Sequence, residues 1–427
     1  MTTFNDLGLA PSILRSIEAA GYTTPTPIQM KAIPPVLEGR DVMGLAQTGT
    51  GKTAAFGLPL IHHLIKHEDK AGPKSVKSLI LAPTRELVNQ IADNLRLYVR
   101  GTPLKVNIVV GGVSINKQVE RLARGSDILV ATPGRLIDLM DRRAVFLDSA
   151  SFLVLDEADQ MLDMGFIHAL RKIAPKLGTP RQTMLFSATM PKLMAELSGA
   201  YLTDPVRIQV ASPGKAADKI TQGVHYAASK GDKVFLLKEH LNASPDGLAL
   251  VFGRTKHGCE KLMKDLVASG YSAVSIHGNK SQGQRERALK AFRDGDARIL
   301  VATDVAARGI DIPGVSHVYN FDLPEVPENY VHRIGRTARA GAEGDAISFV
   351  SGTELGLLRQ IEKLMKIEIP VVGGHRPAEE KPEPRKRGGG GGGGGGGRPQ
   401  GRGPKPSFAK AKPSGPKGRR PRRRRAA

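Results

Sequence analysis

The sequence predicts an α/β protein with two tandem domains, each a parallel sheet covered by helices, followed by a disordered basic tail. Short apolar runs of strand length alternate with helical patterns up to residue 370, which is typical of a parallel sheet with helices on both faces. A polar stretch interrupts the alternation after residue 211, and Gly, Pro, Lys and Arg dominate after Pro370. We therefore expect domain 1 at 1–211, a linker at 212–218, domain 2 at 219–370 and the tail at 371–427.

Charge is distributed unevenly along the 427 residues. The formal net charge is +22, but residues 371–427 alone hold 17 Lys and Arg against three Glu, together with ten consecutive glycines at 388–397. Such a segment buries too little apolar surface to offset its ordering entropy. A modestly charged body with a strongly basic tail indicates a nucleic-acid partner, and a tail that only increases solubility is the alternative.

Composition also disfavours several classes of protein. Cys259 is the only cysteine, so no disulfide framework or Cys-based metal site is expected. No segment approaches the roughly 18 uninterrupted apolar residues of a membrane span, and the N-terminal stretch does not resemble a signal peptide. We expect a cytoplasmic protein without a membrane partner. The 11 histidines show no metal-ligand spacing, and we interpret His277 and His332 as structural or coupling residues.

Domain 1 begins with a helical pattern at residues 4–20, and the prolines of residues 24–29 exclude a helix start before Ile28. Helical patterns follow at 86–98 and 135–140. The strand-length runs are 42–45, 78–82, 106–110, 128–131, 152–155 and 183–186. Four of these runs end in polar turns that start at Pro83, Thr132, Asp156 and Ser187. Because open α/β sheets bind ligands at the carboxyl ends of their strands, these turns should share one rim.

Domain 2 repeats the alternation without a second phosphate-binding motif. The strand-length runs are 224–226, 248–252, 273–276, 299–302, 317–320 and 346–350. Helical patterns occupy 233–241, 256–268, 282–293 and 354–365. Domain 2 is therefore expected to be a second parallel α/β sheet of similar size.

A phosphate-binding P-loop follows the first strand of domain 1. Its residues are Ala46, Gln47, Thr48, Gly49, Thr50, Gly51, Lys52 and Thr53. Backbone N–H groups at the start of the next helix would face the phosphates, with Lys52 reaching the β- and γ-phosphates and the Thr53 hydroxyl ligating Mg²⁺. Ala46 replaces the usual first glycine, which the turn tolerates if φ stays negative. A chance match in a glycine-rich chain is the alternative.

Two carboxylates follow the strand at 152–155, about a hundred residues after the P-loop, at the position typical of an Mg²⁺-binding acidic motif. Asp156 would hold Mg²⁺, and Glu157 would orient or deprotonate the attacking water. A solvated helix start is the alternative for an isolated Asp-Glu-Ala-Asp. The preceding apolar strand and the P-loop favour the catalytic interpretation.

These motifs, in this order, resemble the DEAD-box RNA helicases of helicase superfamily 2 over about residues 4–365. The resemblance implies that both domains are RecA-like lobes flanking a cleft. Phe4, Tyr22 and Gln29 match the Q motif, in which Gln29 would read the adenine edge and Tyr22 would pack on the base. Asp311 matches the position that contacts the ribose.

The resemblance also assigns RNA contacts and coupling residues. RNA contacts fall on Pro83, Thr84, Arg85, Gly112, Thr132 and Arg135 in the first lobe, and on Arg254, Gln282, Arg285, Thr303 and Gly309 in the second. Coupling between ATP state and strand separation falls on Asp159, Ser187, Thr189 and His332. Because hydroxyl, backbone and Arg donors contact phosphates and 2′-hydroxyls, sequence-independent RNA binding is expected.

Arg336 and Arg339 match the arginine-finger motif of the resembled family. Phosphoryl transfer spreads charge over the γ-phosphoryl oxygens, and a guanidinium from the second lobe can meet it only when the lobes close. The two arginines lie three residues apart and would share a face of a helix. Ordinary surface arginines on a basic protein are the alternative. Ala338 stands where many relatives have glycine.

The resemblance implies an RNA helicase that uses ATP and Mg²⁺ for local, sequence-independent unwinding or remodelling of RNA duplexes and ribonucleoproteins. Ribosome-assembly particles or RNA-decay proteins are further expected partners. The segment from Thr255 to Gly258 and the basic tail resemble the bacterial RhlE-like subgroup, whereas a nuclear signal at residues 419–425 is the lesser interpretation. Two alternatives stay open: a DNA helicase of the same superfamily, and an RNA-annealing or ribosome-assembly scaffold in which ATP only gates release.

Overall fold

The fold was analysed in a computed structural model, which describes residues 2–46, 49–66, 70–190, 192–210, 220–308, 310, 312, 314–338 and 343–378. The chain divides into two units, residues 1–381 and 382–427, and all described residues belong to the first unit. The predicted linker at 212–218 and most of the predicted tail lie outside the described residues. The structure therefore reports on the two predicted α/β domains, here called the first and second lobes.

The first lobe is built on a seven-stranded sheet in which all pairs are parallel. Its strands are β1 (Val42–Leu45), β2 (Val76–Leu81), β3 (Val106–Val109), β4 (Ser126–Ala131), β5 (Phe152–Leu155), β6 (Gln182–Ser187) and β7 (Val206–Gln209). Their spatial order is β3-β4-β2-β5-β6-β1-β7. The helices are α1 (Pro11–Ala19), α2 (Pro27–Leu37), α3 (Lys52–Lys66), α4 (Arg85–Tyr98), α5 (Ile115–Leu122), α6 (Pro133–Asp141), α7 (Ala158–Asp163), α8 (Ile167–Ile173) and α9 (Lys192–Tyr201).

The second lobe repeats this architecture with another seven-stranded parallel sheet. Its strands are β8 (Ile220–Tyr226), β9 (Leu248–Phe252), β10 (Ala273–Ile276), β11 (Ile299–Ala302), β12 (Val315–Asn320), β13 (Gly344–Val350) and β14 (Val371–Gly373), in the order β10-β11-β9-β12-β13-β8-β14. The helices are α10 (Lys230–Ala243), α11 (Lys256–Ala268), α12 (Gln282–Asp294), α13 (Asp304–Ala307), α14 (Pro327–Ile334) and α15 (Leu355–Met365). The predicted strands and helices of this lobe are confirmed.

Each sheet separates two hydrophobic cores, because alternate residues of a strand point to opposite faces. Ile80 packs into one core of the first lobe, whereas its neighbours Leu79 and Leu81 pack into the other. The second lobe has two further clusters, one on each face of its sheet. None of these four buried clusters of described residues contains side chains from both lobes. The lobes are therefore separate apolar units.

Two sequence predictions near the N-terminus are wrong in detail. Residues 4–20 form a 3-10 turn at Phe4–Leu7 and then α1, because Gly8 adopts a left-handed φ of 77° and Pro11 opens the next helix. Helix α2 begins at Pro27, one residue before the predicted limit. A proline at the first helical position lacks only an N–H that would have no partner within the helix.

Two edge strands were not predicted. The β7 strand pairs with β1 at one edge of the first sheet, and β14 pairs with β8 at one edge of the second. The β14 strand lies beyond Pro370, so the predicted tail boundary at residue 371 is wrong. Both strands are short and follow a proline closely, which is compatible with an edge position. The Pro370 carbonyl accepts a hydrogen bond from Val224 N at 2.8 Å.

The strand order explains how the first lobe arranges its motifs. The five neighbouring strands β4, β2, β5, β6 and β1 are parallel, so their carboxyl ends lie side by side along one rim of the sheet. Their turns carry, in spatial order, Thr132, Pro83, Asp156, Ser187 and the P-loop. The prediction that these turns share one rim is confirmed. The phosphate-binding and acidic motifs occupy one half of the rim, and the turns at Thr132 and Pro83 occupy the other.

A glycine in β1 tests the packing beneath the P-loop. A Cβ atom on Gly44 would lie 2.6 Å from two ring carbons of the fully buried Phe186. We expect Gly44→Ala to lower the free energy of unfolding by about 1–3 kcal/mol, because the ring has no space to move. Urea denaturation measures this change.

Gly199→Ala is the matched control. Gly199 is exposed in α9, and no heavy atom outside the adjoining residues and the backbone of α9 lies within 4 Å of its added Cβ. This substitution should raise the unfolding free energy by about 0.5–1 kcal/mol, because alanine favours the helix. Equal stability of Gly44→Ala and the wild type would contradict the packing argument.

Candidate functional site

The described part of the P-loop has the backbone expected of a phosphate cradle. Gly49 and Gly51 have left-handed φ values of 85° and 91°, which favour glycine. Ala46 is not among the residues with positive φ, and its N–H donates to the Ser187 carbonyl at 2.9 Å. Helix α3 starts at Lys52 and is 15 residues long. Gln47 and Thr48 lie outside the described residues.

Gln29 connects the Q motif directly to the P-loop. Its side chain is buried, with Nε2 donating to the Gly51 carbonyl at 3.1 Å and Oε1 accepting from Thr26 N at 2.8 Å. A Cβ on Gly51 would approach Gln29 Nε2 to 2.5 Å, so glycine is required on two grounds at this position. Both polar ends of Gln29 are engaged with backbone here. The contact of Gln29 with the adenine edge stays a prediction.

The aromatic residues of the Q motif form an edge-to-face cluster with Tyr98 of α4. Tyr22 contacts Phe4 and Tyr98 edge-on, with ring centroids 6.3 and 5.8 Å apart. The Tyr22 and Tyr98 hydroxyls are 2.8 Å apart. Phe4 is buried in the core, whereas Tyr22 is partly exposed. Burial and the adjoining Tyr22 raise the pKa of Tyr98, so its hydroxyl stays neutral.

Lys52 and Asp156 form a buried pair at the centre of the rim. Lys52 Nζ lies 3.5 Å from Asp156 Oδ1, and both side chains are almost inaccessible to solvent. The ammonium has no hydrogen-bond partner among the described residues. Burial lowers the pKa of Lys52, but Asp156, Glu157 and Asp159 outweigh it and raise the pKa overall. The ammonium therefore stays charged and is available for an anionic ligand.

Glu157 is held in a left-handed conformation, with φ 52° and ψ 51°, at the start of α7. This region costs a non-glycine residue about 1–3 kcal/mol and is found most often where function constrains the chain. The Glu157 N–H donates to Asp156 Oδ1 at 3.0 Å. The strained turn therefore places the two carboxylates side by side at the end of β5.

Asp159 joins the acidic motif to the turn after β6 and to the second lobe. Its Oδ2 atom accepts from Ala188 N, Thr189 N and Thr189 Oγ1 at 3.2, 2.9 and 2.8 Å. Ser187 Oγ closes the same turn by donating to the Thr189 carbonyl at 2.7 Å. His332 Nε2 of the second lobe lies 4.0 Å from Asp159 Oδ2. The structure thus brings together the four predicted coupling residues.

Arginines of the second lobe surround His332 and differ in their roles. Arg333 is buried and held by Asp304 at 2.5 and 2.8 Å, so it is a structural residue. Arg336 is also buried, with Nη1 donating to the Ile310 carbonyl at 2.7 Å and Nε to the His332 carbonyl at 3.2 Å. Burial lowers the pKa of His332 although Asp159 opposes this effect.

A second cross-lobe ion pair lies beside the acidic motif. Arg308 Nη2 donates to Asp163 Oδ2 of the first lobe at 3.2 Å and to Asn329 Oδ1 at 3.0 Å. Burial raises the pKa of Asp163 against the opposing effect of Arg308. Ala338 has a left-handed φ of 54°, which explains why glycine suits this position. Gly309, Asp311 and Arg339 lie outside the described residues, and their roles stay predictions.

The predicted RNA-contact residues of the first lobe lie around two helix starts. Thr84 precedes α4, and its hydroxyl accepts from Leu87 N at 3.2 Å; the neighbouring Pro83 is buried. Thr132 precedes α6, within which Arg135 donates to the Val113 carbonyl at 3.0 Å. Gly112 has φ 78°, and its added Cβ would lie 1.9 Å from Arg85 Nη1. The glycine therefore provides space for Arg85.

Two predicted RNA-contact residues of the second lobe also contact the first lobe. Arg85 Nη1 donates to Gln282 Oε1 at 3.1 Å. Arg285 pairs with Glu86 through Nε at 3.0 Å and Nη2 at 2.8 Å, and both side chains are mostly buried. Arg285 Nη2 also donates to the Ala306 carbonyl at 3.2 Å. These contacts place Gln282 and Arg285 between the lobes in this structure, and their RNA contacts stay predictions.

Arg254 and Thr303 follow neighbouring strands, β9 and β11, of the second lobe. Arg254 N donates to Asp322 Oδ2 at 2.9 Å, and its guanidinium donates to Glu354 Oε1 at 3.0 Å. The Arg254 side chain is 40% exposed. Thr303 precedes the short α13 and is partly buried. Both residues therefore lie at the carboxyl edge of the second sheet.

Sequence reasoning missed Glu86, Asp163 and Tyr98 as members of the site. Glu86 follows Arg85 in a turn already assigned to the rim, so a carboxylate beside a rim arginine was an available signal. Asp163 lies at the end of the helix that starts with the acidic motif. Tyr98 is 76 residues from Tyr22 and carried no local signal. Cross-lobe partners require the relative placement of two sheets, which local patterns do not contain.

The Glu86–Arg285 pair yields a test of lobe closure. Removing either partner leaves the other charge poorly solvated, so we expect Glu86→Ala and Arg285→Ala to be coupled by about 0.5–3 kcal/mol in a double-mutant cycle. The measurement is the closed fraction in a nonhydrolysable ATP analogue and RNA, determined by energy transfer between one label on each lobe.

The Arg171–Glu196 pair provides the control. It lies within the first lobe, its atoms are 2.6 Å apart and both side chains are about half exposed. Its coupling should be at most about 1 kcal/mol, with no change in the closed fraction. Additive effects of the Glu86 and Arg285 substitutions on closure would contradict the role of their pair.

Comparison with known proteins agrees with this site. Residues 26–197 match the DEAD/DEAH box helicase family, and residues 232–341 match the helicase conserved C-terminal domain. The ATP-dependent RNA helicase CshA of Limosilactobacillus reuteri is 43% identical over 366 residues, which cover 86% of this chain and 72% of that relative.

Solved structures of relatives share the arrangement of both lobes. S. cerevisiae Dbp5 bound to RNA and ADP BeF3 is 33% identical, with a TM-score of 0.79 over 87% of this chain and 96% of that chain. Mss116p bound to ssRNA and AMP-PNP is 30% identical, with a TM-score of 0.80 over 88% of this chain and 80% of that chain. The chain therefore belongs to the DEAD-box family of ATP-dependent RNA helicases.

Proposed function

We propose that the chain binds ATP with Mg²⁺ at the rim of the first lobe, closes the second lobe on it, and couples hydrolysis to local, sequence-independent unwinding of RNA. Membership of the family makes it an RNA-dependent ATPase. One observation carries the proposed mechanism: His332 of the second lobe lies 4.0 Å from Asp159, which also binds the turn after β6. The state of the nucleotide site is thereby linked to the position of the other lobe.

The residues at the P-loop fit a complex of ATP with Mg²⁺. Mg²⁺ is commonly held by one or two carboxylates together with substrate phosphates and water. Asp156 and the Thr53 hydroxyl would hold the ion, which would neutralise charge on the β- and γ-phosphates. Lys52, a buried ammonium without a hydrogen-bond partner among the described residues, fits a phosphate oxygen. Gly49 and Gly51 allow the backbone to approach the phosphates closely.

Hydrolysis needs a group that orients the attacking water and a cation that meets charge on the transferred phosphoryl group. Glu157 supplies the first, because its strained backbone places its carboxylate beside Asp156 at the end of β5. Arg336 supplies the second from the second lobe, and its guanidinium is anchored by the Ile310 carbonyl. Arg339 is the second arginine finger of this proposal. Hydrolysis is therefore fast only when the lobes are closed.

RNA binds along the other half of the rim. Helices α4 and α6 start there, and backbone N–H groups at helix starts favour phosphates. Arg85, Arg135, Arg254 and the predicted contacts Thr303 and Gly309 add donors that read phosphates and 2′-hydroxyls rather than bases. Closure brings both lobes onto one strand and bends it. A duplex cannot follow this bend, so the strands separate locally.

Charge outside the two lobes supports a further contact with RNA. The basic segment after β14, residues 374–427 with 17 Lys and Arg, supports a second contact with RNA that raises the effective RNA concentration at the core. Ribosome-assembly particles and RNA-decay proteins are the proposed assemblies, in the cytoplasm. No helix among the described residues is long and apolar enough to span a membrane. Strand annealing by the tail is the second candidate function.

ATP turnover with and without nucleic acid tests this proposal. We expect single-stranded RNA to stimulate turnover more than DNA of the same sequence, because 2′-hydroxyls contribute contacts. Glu157→Gln should lower RNA-stimulated turnover by at least about 10²-fold while retaining ATP binding, because the water loses its carboxylate and Asp156 is unchanged.

Asp148→Asn is the control for loss of a carboxylate, since Asp148 is exposed in the loop before β5. It should retain full turnover. Turnover of Glu157→Gln within threefold of the wild type would reject the assignment of Glu157. Equal stimulation by RNA and DNA would favour the DNA-helicase alternative, and RNA annealing by a chain with no RNA-stimulated turnover would favour the scaffold.

Arg336 gives a second test. We expect Arg336→Ala to lower turnover at saturating RNA by about 10³-fold with nearly unchanged ATP affinity, because the guanidinium acts in the transition state. Arg336→Lys should recover only part of the loss, since an ammonium lacks the planar fork. The exposed Arg293 at the end of α12 is the matched control. A loss confined to RNA affinity would exclude the arginine-finger role.

A further inference from the structure

Three neighbouring strands of the second sheet place charged residues together at the carboxyl edge. The strands β9, β12 and β13 are adjacent, and their ends lead to Arg254, to Asp322 with Leu323, and to Glu354. Glu354 closes the 3-10 turn Gly352–Glu354 and is only 4% exposed. A buried carboxylate lowers the stability of the fold unless its oxygens accept hydrogen bonds or pair with a cation.

Five donors satisfy the Glu354 carboxylate. The Oε2 atom accepts from Lys233 Nζ at 2.5 Å, and from Ser351 N and Oγ at 3.1 and 2.7 Å. The Oε1 atom accepts from Leu323 N at 3.1 Å and from Arg254 Nη2 at 3.0 Å. Burial raises the pKa of Glu354, but Lys233 and Ser351 outweigh it and lower the pKa overall. The carboxylate is therefore charged.

Lys233 lies between two carboxylates, 2.5 Å from Glu354 Oε2 and 3.9 Å from Asp322 Oδ1, so the buried Glu354 has a cationic partner besides Arg254. Lys233 is 5% exposed, and its Nζ also donates to the Phe321 carbonyl at 2.9 Å. Arg254 remains 40% exposed and uses only one Nη group for Glu354 among the described contacts. Its backbone N–H is fixed separately by Asp322 Oδ2 at 2.9 Å. The remaining guanidinium donors are thus held at the solvent side of the RNA-binding edge.

We propose that Glu354 is a positioning residue for RNA binding, because its carboxylate fixes the guanidinium of Arg254 in the orientation that receives an RNA phosphate. The inference rests on the RNA-binding role of Arg254 in the proposed function. An arginine with a fixed fork loses less side-chain entropy on binding a phosphate than a free one. Glu354 itself does not contact RNA in this scheme.

The test measures RNA affinity and turnover of the full chain. Glu354→Gln should weaken RNA affinity about fivefold to twentyfold, because an amide cannot accept from all five donors, while kcat at saturating RNA stays within about twofold. In an Arg254→Ala background, which is itself weakened, Glu354→Gln should have no further effect on RNA affinity. Glu239→Gln, an exposed carboxylate on α10, controls for the change in net charge and should bind RNA normally.

A second variant separates positioning from folding. Lys233→Met with Glu354→Gln removes both buried charges, so its Tm should stay close to that of the wild type while RNA affinity stays weakened. Restored RNA affinity in this double variant would overturn the proposal. Three other results would also overturn it. Glu354→Gln could bind RNA more tightly than the wild type, or it could weaken RNA affinity in the Arg254→Ala background as much as in the wild type. Arg254→Ala alone could leave RNA affinity unchanged. Failure of the proposed function can be told apart from failure of this inference, because the wild type would then lack RNA-stimulated ATP turnover.

Discussion

The contact between Asp159 and its neighbours is the constraint on which the rest of the site depends. One buried carboxylate receives two backbone N–H groups and a hydroxyl from the turn after β6, and it faces His332 of the other lobe. The same short helix starts directly after Glu157 and ends at Asp163, which pairs with Arg308. Helix α7 therefore connects Glu157, the turn after β6 and the second lobe within six residues.

The described contacts between the lobes are polar. They comprise Arg85–Gln282, Glu86–Arg285, Asp163–Arg308 and Asp159–His332, whereas each buried apolar cluster belongs to one lobe. Polar interfaces of this kind contribute orientation and specificity more than affinity, because desolvation offsets much of the attraction. Because none of the buried apolar clusters spans the two lobes, we expect closure to depend on ligands that bridge the lobes.

Much of this arrangement could be predicted from the sequence because parallel sheets align the ends of their strands. Apolar runs located the central strands, and the turns behind them supplied Lys52, Asp156, Thr84 and Thr132 at one edge. The edge strands β7 and β14 were missed because short strands near prolines carry a weak pattern. Glu86 and Glu354 were missed for another reason: their partners Arg285 and Arg254 lie 199 and 100 residues away, and only the folded chain defines such pairs.

Backbone conformation adds information that residue identity alone does not carry. Glu157 and Ala338 both adopt left-handed φ angles, one beside the acidic motif and the other beside the arginine-finger motif. At Ala338 glycine would relieve the strain, whereas at Glu157 glycine would also remove the carboxylate that the proposed function assigns to the attacking water. The first lobe therefore retains backbone strain at a position whose side chain the proposed function uses. In the second lobe, the buried Arg336 donates to the carbonyls of Ile310 and His332, so the backbone of that lobe fixes the orientation of the proposed arginine finger.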